Sequence, residues 1–499
     1  MDRNQILERV RSRTTSWDIV VVGGGSTGVG CAVDAASRGF DVLLVEQSDF
    51  GKGTSSRSTK LVHGGVRYLA QGNISLVREA LKERGVLLRN APHVVHRQEF
   101  IVPCYSRWQK FYYGVGLRIY DLLSGKYSLG KSRILSRSET IERLPTVIQA
   151  GLAGGVLYSD GQFDDTRLLI DMARTAHEQG AAVLNYARVS SLLKSPEGKV
   201  SGIEFEDVLA GENFAINAKA VINATGAFCD AVRTMSDESS KPIVTLSQGI
   251  HLVFDRSFLP GDSAIMIPKT GDGRVLFCIP WHGRTLVGTT DTPIPEAELE
   301  PNAFDFEIDF VLETVGQYLT TKPARRDILS LFTGIRPLVA SSSTRNTASL
   351  SRGHTIEIND SDLLTITGGK WTTYRHMAED AVDQASRIAN LSSRPSVTEK
   401  LKINGPQPFV DTEPLHSELP YTRGDVIRAV REEMAQTVED VLARRTRALF
   451  LNTANAIEIA PLVAKIMASE LGKDKTWLDA EVGRFSETAK RYMPKKQAS

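Results

Sequence analysis

The sequence predicts an α/β fold made of a parallel-sheet domain, an antiparallel-sheet domain inserted into it, and a C-terminal helical domain. Three patterns predict these parts: apolar runs that each end in glycine, a segment of alternating polarity at 246–290, and helical spacing beyond residue 395. With 499 residues, the chain is long enough for about two to three domains.

The first apolar run opens a βαβ unit of the Rossmann-like kind. Residues 18–22 are apolar and β-branched, as in a buried parallel strand, and small residues at helical spacing follow. A second apolar run, at 41–45, is followed directly by Glu46. The intervening turn has glycines at Gly23, Gly25 and Gly28. Such a turn lets the backbone approach a pyrophosphate at a helix N-terminus, and the carboxylate accepts hydrogen bonds from ribose hydroxyls. The pattern therefore predicts a dinucleotide site.

Two later segments favour FAD over NAD as the dinucleotide. An apolar run at 220–223 leads into Ala224, Thr225 and Gly226, and the loop Thr54, Ser55 and Ser56 offers hydroxyls to a pyrophosphate and a flavin ring. A fourth apolar run, at 362–367, again ends in glycines and precedes a helix near 372–388. We therefore expect these runs to share one sheet, in a Rossmann-like FAD-binding domain assembled from residues 1–100, 150–245 and 330–392.

The remaining segments show other patterns. Residues 101–149 are rich in aromatic and basic side chains, and 246–329 contain strand-like stretches broken by turns. We expect these two ranges to form the substrate-binding cap domain, with an antiparallel sheet. We expect residues 393–499 to form the C-terminal helical domain, with helices near 454–471 and 477–492. A further single helix is predicted by the i, i+4 stripe Val426, Val430, Met434, Val438 and Leu442.

Seven ordered blocks between Asp18 and Arg375 resemble the FAD-dependent glycerol-3-phosphate dehydrogenase family. The blocks after the glycine turn are Thr54-Ser55-Ser56, 60–68 (KLVHGGVRY), 279–281 (IPW), 288–291 (GTTD), 334–338 (GIRPL) and 368–375 (GGKWTTYR). The resemblance implies oxidation of sn-glycerol 3-phosphate to dihydroxyacetone phosphate, with hydride passing from C2 to flavin N5. It also implies that the electrons then pass to a membrane quinone.

Several alternatives stay open at this point. Related oxidases use oxygen as the electron acceptor, and other relatives act on another polyol phosphate, such as erythritol phosphate. An amine or 2-hydroxyacid flavoenzyme would need a carboxylate clamp, whereas the several cations in the blocks favour a phosphate. A flavin-binding module without turnover would be expected to lose its cationic positions, and all of them are present here.

The resemblance also implies which residues surround the substrate. The expected catalytic residues are His63, Arg67, Arg336 and Lys370, and the expected substrate contacts are Tyr68, Thr290 and Arg352. The chemistry suits these residue types, because a phosphate dianion needs fixed positive charge, which arginine supplies through paired N–H donors and lysine as a point charge. The substrate hydroxyl needs a base. The ordinary pKa of histidine suits that task and favours His63, and Lys370 is the alternative.

The helix after Gly369 is expected to direct its N-terminus at the N1/C2 carbonyl edge of the flavin, with Thr372 and Thr373 as its caps. Gly369 and Thr372 therefore join the expected cofactor contacts. The complete set is Gly23, Gly25, Gly28, Glu46, Thr54, Ser55, Ser56, Ala224, Thr225, Gly226, Gly369 and Thr372.

Composition narrows the partners and the compartment. The chain has 60 Lys and Arg against 59 Asp and Glu, so no nucleic-acid partner is expected. Its cysteines lie far apart, which predicts buried thiols, no metal site and a reducing, cytoplasmic compartment.

No window approaches the ~18 apolar residues of a membrane span. The quinone implied by the resemblance favours peripheral contact with the inner face of the cytoplasmic membrane. The basic, aromatic stretch 107–113 suits such contact, and it is equally typical of a packing surface between domains. The sequence is also compatible with a homodimer.

Overall fold

The computed structural model describes residues 1–70, 72–268, 270, 274–339, 353–407 and 410–495, without the side chains of Arg67 and Ala70. This part of the chain forms two β-sheets with helices packed around them and a C-terminal group of helices. The predicted α/β class is confirmed.

The strands in the described residues are numbered in chain order. They are β1 (Trp17–Val22), β2 (Val42–Val45), β3 (Leu61–Val62), β4 (Val95–Cys104), β5 (Arg133–Leu135), β6 (Gly154–Phe163), β7 (Ala182–Leu184), β8 (Ala187–Lys194), β9 (Val200–Asp207), β10 (Glu212–Asn223), β11 (Val244–Asp255), β12 (Ala264–Ile267), β13 (Leu276–Trp281), β14 (Arg284–Gly288), β15 (Thr292–Pro293), β16 (Ser330–Val339), β17 (His354–Ile358) and β18 (Leu364–Gly368).

The α-helices in the same residues are numbered in the same way. They are α1 (Arg3–Ser12), α2 (Ser26–Ser37), α3 (Val66–Ala70), α4 (Ile74–Asn90), α5 (Arg107–Ser124), α6 (Arg137–Arg143), α7 (Asp165–Glu178), α8 (Cys229–Ser236), α9 (Asp305–Gly316), α10 (Tyr374–Ile388), α11 (Arg423–Arg431), α12 (Ala448–Leu451), α13 (Thr453–Leu471) and α14 (Lys475–Lys490).

The first sheet has parallel strands at its centre, in the order β17-β18-β10-β1-β2-β7. Its central strands are apolar and buried, and α2 packs against both α7 and α10 along the sheet. β1 lies between β2 and β10, and β18 pairs with β10 in parallel. The four apolar runs therefore end side by side, which confirms the prediction that they share one sheet.

The second sheet follows the order β15-β11-β14-β13-β12-β4-β6-β3, with β16 paired to β11 and β5 paired to β6. Its pairs are antiparallel except for β12 with β4. The sheet extends beyond the ranges expected for the cap domain, since β6 and β16 were assigned to the FAD-binding domain. Both strands are buried along most of their length. Neither segment was identified as a strand from the sequence, so their pairing with the second sheet was not predicted.

The C-terminal domain consists of α11 to α14 and packs against the second sheet through an apolar cluster that includes Trp281 and Phe332. The helices predicted near 454–471 and 477–492 correspond to α13 and α14. The single helix predicted from Val426 to Leu442 is wrong. α11 ends at Arg431, Met434 has a left-handed φ of 59°, and a short π-helical turn follows at Asp440–Arg445. All but Val430 of the stripe is buried, so the spacing predicted the buried face but not the break.

Among the described residues, no helix is both long and apolar enough to cross a bilayer.

Candidate active site

A cavity of about 550 Å³ lies between the two sheets. On one side, the residues that follow β1, β10 and β18 line it. Residues of β11 and β16 line the other side, and the segment between β2 and β3 closes part of the wall. The cavity therefore lies at the carboxyl ends of parallel strands, where ligands bind in open α/β sheets.

The glycine turn is packed so closely that side chains do not fit in it. Gly23 has a φ of 114°, and a Cβ there would lie 2.6 Å from the Ala224 carbonyl oxygen. A Cβ on Gly28 would lie 1.9 Å from the carbonyl oxygen of Gly23. Gly23 and Gly25 line the cavity, whereas Gly28 lies behind the turn and lets α2 approach it. The N-terminal turn of α2 consequently faces the cavity, as a pyrophosphate site requires.

Glu46 lines the same cavity and is held by two backbone donors. Its Oε2 accepts a hydrogen bond from the N–H of Gly24 at 2.6 Å, and its Oε1 accepts one from Ser48 at 2.9 Å. Burial raises the pKa of Glu46 above its ordinary value, although both N–H groups act in the opposite direction. Each carboxylate oxygen keeps a further lone pair, so the placement fits the predicted contact with ribose hydroxyls.

The segment Asp49–Arg57, called the flavin loop below, carries the hydroxyls that the sequence predicts for the cofactor. Thr54 and Ser55 line the cavity, and Ser55 Oγ accepts a hydrogen bond from the N–H of Ser26 at 2.9 Å. Ser56 does not line it. Its buried hydroxyl donates to the Gly53 carbonyl at 3.3 Å, so the predicted cofactor contact of this side chain is not supported. The three residues form a turn of 3₁₀-helix, so their side chains face different directions, which sequence adjacency does not reveal.

The other predicted cofactor residues reach the cavity from β10 and β18. Ala224, Thr225 and Gly226 line it, as do Gly369 and Thr372. The expected capping by the two threonines is wrong, because neither side chain caps the helix. Thr372 Oγ1 instead accepts the N–H of His63 at 3.1 Å, and Thr373 Oγ1 donates to the Lys370 carbonyl at 3.3 Å. Thr372 thus joins the turn after β3 to the turn that precedes α10.

Arg336 on β16 supplies fixed positive charge to the cavity. Its Nη2 donates to Thr289 Oγ1 at 3.0 Å and to the Thr290 carbonyl at 2.9 Å, and its Nη1 donates to the Gln248 carbonyl at 3.2 Å. A Cβ on Gly249 would lie 2.3 Å from that Nη2. The guanidinium is therefore held rigidly by three neutral oxygens, and its Nη1 also lies 3.5 Å from Asp291 Oδ1.

Lys370, which follows β18 of the first sheet, lines the cavity, and so do His63 and Tyr68, which follow β3 of the second sheet. The Nζ of Lys370 lies 4.0 Å from the centre of the Tyr68 ring, a cation–π contact that keeps the ammonium in place. A Cβ on Gly65, which has a φ of 78°, would lie 2.4 Å from that ring. The glycines after His63 thus let Tyr68 fold back towards Lys370.

The remaining predicted substrate residues are placed differently. Thr290 contacts the cavity, but its hydroxyl donates to Glu307 at 2.8 Å and accepts the N–H of Ile250 at 3.0 Å. Its hydroxyl therefore holds the turn, and its carbonyl holds Arg336, rather than the substrate as predicted. Arg67 lies on α3, where its side chain is outside the described atoms, and Arg352 lies outside the described residues.

His251 on β11 is a cavity residue that the sequence analysis missed. It is 2% exposed, stacks on Phe332 and shares a 2.9 Å hydrogen bond with Thr59 through Nε2. Burial, reinforced by the charges of Lys60 and Arg336, lowers the pKa of His251 well below its ordinary value. The environment therefore favours the neutral form of the imidazole. The only sequence signal was its place in a strand of alternating polarity, which does not separate a site residue from a core residue.

The cavity residues fit FAD. A helix N-terminus with closely packed glycines suits a pyrophosphate, Glu46 suits a ribose, and a hydroxyl-bearing wall follows along the flavin loop. The same cavity continues to Arg336 and Lys370, so a bound flavin would share its space with two fixed cations. The arrangement can therefore bring an anionic substrate next to a redox cofactor.

Comparison with known proteins agrees with this geometry. Residues 18–375 match a model of the family described as FAD dependent oxidoreductase, and residues 363–477 match the C-terminal domain of alpha-glycerophosphate oxidase. The mitochondrial glycerol-3-phosphate dehydrogenase of Rattus norvegicus is 40% identical and aligns with 96% of this chain and 73% of its own length.

Solved structures show the same likeness. The glycerol-3-phosphate dehydrogenase of Bacillus halodurans, solved with FAD, superposes with a TM-score of 0.80 at 27% identity, covering 100% of this chain and 99% of its own. The FAD-bound L-alpha-glycerophosphate oxidase of Mycoplasma pneumoniae shares the fold, with a TM-score of 0.60 at 17% identity, covering 79% of this chain and 100% of its own. The cofactor is FAD, and the chain belongs to the FAD-dependent glycerol-3-phosphate dehydrogenase family.

Proposed function

We propose that the chain oxidises sn-glycerol 3-phosphate to dihydroxyacetone phosphate and passes the electrons to a membrane quinone. The observation that carries the proposal is the shared cavity, which Arg336 and Lys370 line together with the glycine turn of the FAD site. The names of the relatives at about 40% identity, all glycerol-3-phosphate dehydrogenases, support the same substrate.

The cations account for recognition of a phosphorylated alcohol. The Gln248 and Thr290 carbonyls orient the Arg336 guanidinium, and its planar N–H groups match phosphate oxygens. Lys370 adds a point charge to the same cavity. A carboxylate substrate carries only one charge, so two fixed cations favour the phosphate dianion. Arg67 and Arg352 are proposed to add further positive charge around the phosphate.

The chemistry at C2 requires that a proton leave the hydroxyl while hydride leaves the carbon. Bound FAD supplies the acceptor for that hydride. We propose that His63, which lines the cavity, takes the proton. The ammonium of Lys370, fixed over Tyr68, stabilises the negative charge that develops on the oxygen.

An exposed face of α5 suits contact with a membrane, where a quinone is dissolved. Its apolar side chains lie on one stripe of the helix at i, i+3, i+4 and i+7 spacing: Trp108, Phe111, Tyr112, Val115, Ile119 and Leu122. Trp108 is 70% exposed and Leu122 80%. Exposed basic residues border the stripe or follow the helix, namely Arg107, Arg118, Lys126, Lys131 and Arg133. Apolar anchors flanked by cations are typical of helices that lie in the interface of an anionic bilayer. We propose that the protein contacts the inner face of the cytoplasmic membrane through this face.

An oxygen-using glycerol-3-phosphate oxidase is the second candidate. The match of residues 363–477 to an oxidase domain favours it, and so does the shared fold of the Mycoplasma pneumoniae oxidase. Both activities need the same cationic cavity and differ only in the acceptor of the electrons. A longer polyol phosphate, such as erythritol phosphate, is the remaining substrate alternative.

The first experiment is anaerobic mixing of the FAD-loaded protein with sn-glycerol 3-phosphate, followed by absorbance near the flavin maximum. We expect rapid bleaching, and faster bleaching than with erythritol 4-phosphate. Reoxidation of the bleached protein is then measured separately with a soluble quinone analogue and with oxygen. Faster reoxidation by the quinone supports the dehydrogenase, and release of peroxide at a matching rate supports the oxidase. No bleaching by either phosphate contradicts the proposed substrate.

The membrane face is tested with the double variant Trp108→Glu/Leu122→Glu and liposomes that contain about one third anionic lipid. Because two apolar anchors become charged, we expect binding in a flotation assay to weaken by at least about tenfold. Phe306→Glu on α9, where Phe306 is 60% exposed, is the matched control and should bind as the unaltered protein does. Equal binding of both variants would contradict a role for α5.

A further inference from the structure

A largely buried ionic network joins Lys52 and Arg57 of the flavin loop to Glu300 and Glu439. Lys52 Nζ is 2.6 Å from Glu300 Oε1 and 2.5 Å from Glu439 Oε1, and Arg57 Nη2 is 2.7 Å from the same oxygen of Glu300. The side chains of Lys52 and Glu300 are 12% and 14% exposed. Lys52 and Glu439 are separated by almost the whole chain, so this network joins the FAD-binding site to the C-terminal domain.

Glu300 belongs to a short segment that forms part of the cavity wall. Its neighbours Glu298, Leu299 and Pro301 line the cavity, and the Glu300 carboxylate is bound to Lys52 and Arg57 of the flavin loop, which line the cavity as well. The C-terminal domain holds the same residue, because Tyr492 Oη donates to Glu300 Oε2 at 3.1 Å. In addition, Arg491 Nη1 donates to the Glu300 carbonyl at 2.7 Å. The segment is therefore fixed against the flavin loop.

The C-terminal domain also fixes both ends of the flavin loop. At the first end, Arg444 Nε and Arg445 Nη1 lie 2.5 Å and 2.6 Å from Asp49 Oδ2. Near the other end, Arg447 Nη2 donates to the Ser56 carbonyl at 2.9 Å. These side chains are at most 4% exposed. The residues in between, which include Gly53, Thr54 and Ser55, line the cavity.

Removal of one partner from such a network weakens it strongly. When one partner of a buried ion pair is removed, the other charge stays buried without its counter-ion. The resulting loss of stability exceeds the net stabilisation that the intact pair contributes. Burial would raise the pKa of Glu300, but Arg57 and Lys52 hold that pKa below its ordinary value, as expected for a carboxylate between two cations. Without this carboxylate, Lys52 and Arg57 would repel each other, and segment 298–301 would lose its attachment to the loop.

We propose that Glu300 and the C-terminal helical domain retain FAD. They hold the flavin loop and segment 298–301 closed along the cofactor, and thereby set the rate at which FAD leaves. Glu300 acts through the loop and is a positioning residue. This role assigns a purpose to the C-terminal domain, and it depends neither on the identity of the substrate nor on the acceptor.

The test measures FAD release from the holoenzyme of Glu300→Gln, by the rise in flavin fluorescence after dilution, well below the unfolding temperature. We expect release that is faster by on the order of tenfold to a hundredfold, because a buried counter-charge is lost. Glu300→Asp keeps the charge and should restore much of the retention. Tyr492→Phe removes one hydrogen bond to a charged group and should accelerate release by roughly fivefold. Glu296→Gln is the matched control, since Glu296 is exposed on the same segment, and its release rate should be unchanged.

Far-UV circular dichroism recorded in parallel separates retention from folding. Faster release with unchanged secondary structure supports the proposal. Equal release rates for Glu300→Gln and Glu296→Gln would overturn it, and so would release that proceeds only as fast as the helical signal is lost. Bleaching by sn-glycerol 3-phosphate is a separate measurement, so failure of the proposed substrate leaves this result independent.

Discussion

Arg336→Met is expected to lower kcat/KM for sn-glycerol 3-phosphate by about a hundredfold to a thousandfold, or roughly 3 to 4 kcal/mol of transition-state stabilisation. The reason is that Arg336 is a preorganised cation in the cavity, held by the carbonyls of Gln248 and Thr290 before any substrate arrives. Steady-state kinetics with the FAD-loaded variant measure the effect. Its flavin spectrum should match that of the unaltered protein, because the lost side chain is not part of the glycine turn.

Two further variants make the Arg336 result specific. Arg336→Lys keeps the charge but loses the planar pair of donors, so it should recover only part of the loss. Arg431→Met removes an arginine whose side chain is 59% exposed and paired with Glu470 on the surface, and should leave kcat/KM unchanged. A kcat/KM for Arg336→Met within threefold of the unaltered value would show that the phosphate binds elsewhere.

Gly28→Ala is expected to yield protein that holds little or no FAD. The added Cβ would meet the carbonyl oxygen of Gly23 at 1.9 Å, and since that atom is backbone, the whole turn has to move away from the pyrophosphate position. We expect FAD affinity to fall by at least about a hundredfold, since overpacking of this kind costs on the order of 3 kcal/mol. The flavin-to-protein absorbance ratio after desalting and titration of the apoprotein with FAD measure the loss.

Gly483→Ala is the matched control for the glycine turn. Gly483 lies in α14, where an added Cβ meets nothing within 4 Å, so the same substitution should leave flavin content intact. If Gly28→Ala were to retain a full complement of FAD, the close packing of α2 against the turn would not be required for cofactor binding.

Local patterns in the sequence predicted the parts of the fold that local chemistry determines. The βαβ unit follows from apolar runs, a glycine turn and Glu46, all within about thirty residues of each other. Long-range pairing was not predicted in the same way. β4 and β6 pair over their full length, yet nothing in either segment specifies the other as partner. β6 contains Ser159, Asp160 and Gln162 among its apolar residues, so its sequence did not even identify it as a strand.

The sequence predicted which residues lie around the cavity better than it predicted which of their side chains face it. Glu46, Thr54 and Arg336 line the cavity as expected, because each follows a motif with a single structural context. Ser56 and Thr290 belong to the same motifs, but their hydroxyls bind the protein itself. His251 gave no motif at all. No motif singled out the arginines at 444, 445 and 447, and only the tertiary structure places them beside Asp49 and Ser56.

The order of the cofactor-binding pieces along the chain has a consequence for biosynthesis. The glycine turn at Gly23 emerges from the ribosome early, but Gly369 and Thr372 complete the cavity much later, and Arg447 fixes the flavin loop later still. A nascent chain that ends before these residues lacks one wall of the site. Flavin loading in this geometry therefore has to follow translation of most of the chain, and truncated products should accumulate as colourless protein.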